Sequence, residues 1–159
     1  MNPQPCGLVI LALAGLALEP AVAQSGDRGW FVAFERVMVA PVARTNTTQL
    51  VDAGTIETDG FSELVFSMGG EFKQGVPDSG VVGAILVPDR EPFLYLLRTE
   101  GKIVFPLEVT ADVTGLRDAI FVSTQQTARV AFPRYRVFLY NETGSAASVG
   151  FFVYRSRCG

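Results

Sequence analysis

The sequence predicts an all-β domain: a two-sheet β-sandwich of jelly-roll or Greek-key type with at most one short helix. Three observations carry this. Short β-rich runs recur along the chain, turn residues separate them at regular spacing, and a single stretch has helical periodicity with capping chemistry at both ends. An up-and-down barrel is the alternative closure of the same runs.

The first 23 residues stand apart from that domain. Leu8 to Leu18 reads LVILALAGLAL, eleven residues without a charge, about half of the ~20 that a membrane-spanning helix needs. Ala21-Val22-Ala23 follows as a small-x-small cleavage pattern, so residues 1–23 read as a secretory signal peptide, although MNPQPCG carries no Lys or Arg ahead of the apolar run. Cys6 precedes that run and does not sit at a lipid-attachment position. The expectation is a secreted or periplasmic protein, residues 24–159, with no further apolar run of spanning length. Eleven Arg against two Lys suggests a GC-rich bacterial source.

The elements then follow in order. Trp30 to Val39 (WFVAFERVMV) is the first strand, largely apolar on both faces at its start, with Trp30 at its exposed end. Gln49 to Thr58 is the second, stopped by Asp59-Gly60, a strong turn dipeptide. Phe61 to Met68 is the third and is expected to close on Gly69-Gly70, with Leu64, Phe66 and Met68 facing the core. Lys73 to Gly80 is a loop. Val81 to Val87 (VVGAILV) is nearly continuous in apolar residues, the pattern of a strand buried on both sides.

Pro88 to Gly101 breaks the β pattern. Asp89 is placed as an N-cap, Glu91 and Pro92 fall in a first turn, and Gly101 stops the segment. Phe93, Leu96 and Leu97 share one helical face. A strand turning at Thr99 to Lys102 is the competing assignment. Lys102 to Val113 alternates around Pro106, which lacks an amide hydrogen and so makes this an edge strand or a bulged one. Thr127 to Phe132, Arg134 to Tyr140 and Ala147 to Tyr154 complete the set of about eight, the last two expected as a hairpin across Asn141 to Ser145.

Composition bounds the chemistry. A chain of 159 residues, 48% hydrophobic with net charge −3, supports one packed domain and excludes intrinsic disorder. Histidine is absent, which removes Ser-His-Asp and Cys-His nucleophiles and imidazole metal sites together. Thirteen basic against 16 acidic residues leaves no electrostatic footprint for nucleic acid. Glu57 and Asp59 are a candidate carboxylate pair for a hydrolase, and Asp59, Asp78, Asp89 and Asp112 are loop acids of the kind that hold calcium, but no D-x-D-x-D-G loop occurs. No cofactor motif is present. Asn46-Thr47-Thr48 and Asn141-Glu142-Thr143 match the glycosylation sequon.

These features point to a non-catalytic module acting through a protein or matrix contact surface. Its alternative is a carbohydrate-binding module using exposed aromatics, with Trp30, Tyr95, Tyr135 and Tyr154 as the candidate stacking residues. A carboxylate-based hydrolase is the third. Cys158 is the one cysteine outside the leader, available for an intermolecular disulfide. Cleavage after Ala23 makes Gln24 the first residue of the exported protein: intact-mass measurement should find that species, and secreted protein still carrying Met1 would contradict it.

Overall fold

A computed structural model describes residues 30–157. The expected signal peptide (residues 1–23), Gln24 and both cysteines lie outside the described residues. Strands β1 (Phe31–Val39), β3 (Glu63–Phe72), β6 (Ile120–Val122), β7 (Gln126–Arg129) and β9 (Ala147–Ser156) make one antiparallel sheet. Its order is β1-β9-β3, with β6 and β7 sharing the far side of β3. Strands β2 (Val51–Glu57), β8 (Arg134–Asn141), β4 (Val81–Pro88) and β5 (Leu107–Asp112) make the second sheet, in that order. The first strand pairs with the last and the second with the next to last. That winding is a jelly roll.

Alternation decides which side chains fill the space between the sheets. Leu64, Phe66 and Met68 on β3 face inward, as the sequence predicts, against Phe34 of β1 and Phe151 of β9. The Phe151 ring lies 6.3 Å from that of Phe34 and 6.1 Å from that of Phe66, spacings that add edge and offset-stacking energy to simple burial. Val82, Ala84 and Leu86 of β4 meet this core, while Ile85 and Val87 point to the opposite face.

That opposite face is covered by α1 (Phe93–Glu100), which lies in the connection from β4 to β5. Leu94 and Leu97 pack there with Ile85, Val87, Leu50 and Phe138. β4 is thus buried on both sides, and its continuous apolar run is explained. The helix appears where expected and ends on Gly101 in the left-handed conformation, φ 65°, with its amide donating to Leu96 O. Its buried pair is Leu94 and Leu97, with Phe93 and Leu96 partly exposed.

Three expectations change. Asp89 does not cap the helix. Pro92 occupies the cap position without a side-chain bond, the Tyr95 amide donates to Glu91 Oε2 at 2.9 Å, and Asp89 turns instead to Arg134 and Arg136. Gly69-Gly70 is not a turn. β3 runs through it to Phe72, because Gly70 sits under the Phe121 ring and against Ser148 O, where any Cβ would clash. The last two long strands are not a hairpin either: β8 and β9 belong to different sheets. Asn141 to Ser145 carries the chain over the end of the sandwich, with Asn141 Nδ2 donating to Val39 O and Ser145 O.

Pro106 stands just ahead of β5, which is an edge strand. Removing the Leu97 side chain from beneath the helix leaves a cavity that the sheet cannot close. Leu97→Ala should lower unfolding free energy by about 2–4 kcal/mol in urea titration, whereas Tyr95→Ala on the exposed side should change it by less than about 0.5 kcal/mol.

Candidate functional site

The outer face of the five-stranded sheet has no helix over it among the described residues, yet it is apolar. Its rows follow from the register. Phe31, Tyr154, Val65 and Thr127 lie side by side across β1, β9, β3 and β7. The next row holds Ala33, Phe152 and Ser67, the next Gly150, Gly69 and Val122, and the last Met38, Ser148, Glu71 and Ile120. The rings interlock. Trp30 meets Tyr154 edge-on at 5.8 Å, Phe31 lies 4.8 Å from Tyr154, and Phe31 and Phe152 are nearly parallel at 6.5 Å.

Exposure on this face is unusual for side chains of this kind. Trp30 is 53% exposed, Tyr154 50%, Ile120 65% and Val122 74%. A single exposed apolar residue on a soluble domain needs no explanation, whereas a contiguous set marks a contact surface. Gly69 and Gly150 face each other near its centre, and the edge of the Phe152 ring reaches over Gly150, where a Cβ would clash. The middle of the face is therefore low along β9 and β3, while Glu35 and Arg36 of the β1 bulge stand exposed beside it.

Of the four aromatics singled out from the sequence, two come together on this face, Trp30 and Tyr154. Tyr95 is exposed on α1, over the other sheet. Tyr135 is 1% exposed and is corrected as a stacking candidate: its ring faces the core and its hydroxyl accepts the Ala131 amide at 3.2 Å. Sequence reasoning did not single out Phe31, Phe152, Met38, Ile120 or Val122. The usable signal was the start of the first run, apolar on both faces.

The charged groups are organised differently, as clamps. On the outer face of the four-stranded sheet, Arg44 donates twice to Glu108, Nε to Oε1 at 2.8 Å and Nη2 to Oε2 at 2.9 Å. The Tyr140 hydroxyl donates to the same carboxylate at 2.7 Å, its ring lying over Gly83 where a Cβ has no room. Burial works against the ionised Glu108, but the hydrogen bonds from Arg44 and Tyr140 outweigh it and hold its pKa below the ordinary value. Burial and then the Glu108 bond push the Tyr140 phenol above its usual range.

At the β2–β8 end, Asp89 is bridged by Arg134 at 2.8 Å and Arg136 at 3.1 Å, and Arg136 also reaches Asp52 at 2.9 Å. Glu57 accepts from Arg134 at 3.3 Å in an exposed position, and Asp59 lies in the exposed turn beyond it. No cluster of three or more Cys, Asp or Glu side chains suited to a metal ion occurs among the described residues. An open depression of 410 Å³ lies between Val76 to Ser79 and Gly144-Ser145. The two sequons differ: Asn46 is exposed, whereas Asn141 is fully buried with its side chain engaged.

No protein-family model matches this chain, and a comparison with curated proteins also gives no match.

The Glu108 clamp has a pH consequence. Its folded pKa lies below the ordinary 4.5, so its stabilisation is complete above that pH and is lost as pH falls through the folded value. Glu108→Gln should cost about 1 kcal/mol at pH 7, the modest scale of a partly exposed, hydrogen-bonded ion pair. The gap from wild type should close in melts below pH 4.5; a constant gap at every acidic pH would contradict the clamp.

Proposed function

We propose that this protein is a secreted or periplasmic binding module that works without catalysis, through the outer face of its five-stranded sheet, on a protein partner. The observation that carries this reading is the uncovered set of Trp30, Phe31, Tyr154, Phe152, Ile120 and Val122 on one sheet face. Burying these side chains against a partner gains roughly 25 cal/mol per Å² of apolar surface, before the cost of association. The opposite sheet has spent its outer face on α1. The leader-like residues 1–23 support export.

A second reading, carbohydrate binding, is favoured by the pairing of Trp30 with Tyr154. The surroundings favour protein. Aliphatic Val65, Met38, Ile120 and Val122 fill out the face, whereas a glycan site combines a flat ring with convergent hydrogen-bonding groups. A photoreactive amino acid at Tyr154, incorporated in the exporting cell, should cross-link to protein, and the same group at Glu100 on α1 should not. Glycan arrays should be blank. Glycan binding abolished by Trp30→Ala would establish the carbohydrate reading instead, and polysaccharide turnover lost in Glu57→Gln would overturn both.

A further inference from the structure

We infer that the occupant of this face is a second copy of the same chain, packed sheet on sheet about a twofold axis. The inference rests on the contact-surface reading above and names its partner. Three features of the face select a copy of itself.

The first is area. At the exposures found, the apolar side chains of the face present roughly 600 Å², near the ~800 Å² that each partner gives to a standard interface and at the upper end for the largest patch on a monomer. The second is shape. Gly69 and Gly150 leave the β9–β3 centre without side chains of their own, with the Phe152 ring edge over Gly150. Another flat sheet can approach such a surface to the ~10 Å of stacked sheets.

The third is charge. Along β9 and β3 the centre of the face is uncharged; Glu35 and Arg36 of the β1 bulge stand exposed at its edge beside Gly150, and the remaining charges stand at its two ends along β3. Glu63 lies opposite Arg129 at one end, and Glu71 is ion-paired with Lys73 at the other. A twofold axis in the plane of the face, running across the strands, sets β3 of one copy antiparallel over β3 of its partner. The Glu63–Arg129 end then meets the Glu71–Lys73 end, so each acid is offered a base from the other copy. An axis running along the strands stacks like ends on like ends and loses this match. In the favoured arrangement, the Trp30–Phe31 corner of one copy lies toward Met38 of the other, a contact in which sulfur and ring edges pack well, and Thr127 lies toward Ile120. The interface is isologous and closes as a dimer.

Sedimentation of the purified protein across a concentration series, in reductant so that Cys158 plays no part, should show a reversible monomer–dimer equilibrium. Val122→Asp should raise the dissociation constant by about 100-fold or more, the scale of a lost hot spot, with the melting temperature of the monomer unchanged. Tyr154→Asp is the independent second variant. The geometry has its own readout with Cys6 and Cys158 changed to Ser. Mixing Ile120→Cys with Thr127→Cys, two exposed positions on β6 and β7 beside opposite ends of β3, should give a disulfide-linked pair in far higher yield than either variant alone. A chain that stays monomeric throughout overturns the second-copy assignment, while the Tyr154 cross-link still decides whether the face binds another protein. A dimer indifferent to both aspartates places the interface elsewhere and overturns it too.

Discussion

Both sheets carry apolar side chains on their outer as well as their inner faces, and the form of this protein depends on how that outer layer is covered. On the four-stranded sheet, Ile85, Val87 and Phe138 are covered by Leu94 and Leu97 of α1. The connection from β4 to β5 is long enough to hold a helix, and its ends are set by Pro92 and Gly101. The five-stranded sheet has no such insertion among the described residues. Its outer face keeps Trp30, Tyr154 and Val122 in contact with solvent, and a partner that docks on this face would bury these three side chains first.

The fold was legible because its local signals agree with one another. Alternation in the third run placed Leu64, Phe66 and Met68 correctly, and the unbroken VVGAILV run identified a strand covered on both sides. Capping residues located α1 to within a few positions. What was not legible is pairing. A turn rich in Asn, Thr, Gly and Ser is compatible with a hairpin and with a corner between sheets. Asn141 decides it by bonding back to Val39 O, 102 positions away. The same blindness to distant contacts hid the place of Gly69-Gly70, whose neighbours are Phe121 and Ser148, and the role of Asp89, whose partners come from β8.

The candidate site was half legible for a related reason. Trp30 and Tyr154 were identifiable as amphipathic rings, but Tyr135 has the same composition signal and is buried, because its position on β8 points inward. Phe is a core residue by default, so Phe31 and Phe152 could be assigned to the surface only after register was known. The charged side chains contribute mainly to architecture. Arg44, Glu108 and Tyr140 tie the segment before β2 to β5 and β8, and Arg136 ties β2 to the entrance of α1.

Trp30 is the only tryptophan in the chain, which makes its fluorescence a direct report on the uncovered face. In dilute solution its emission should be that of a half-exposed indole, at long wavelength and readily quenched by acrylamide. Occupation of the face should shift the emission to shorter wavelength and protect it from the quencher, and Val122→Asp should abolish that change without unfolding the domain. Short-wavelength, quencher-resistant emission at the lowest measurable concentration, unaltered by Val122→Asp, would show that the face is covered within the chain itself and would contradict its role as a contact surface.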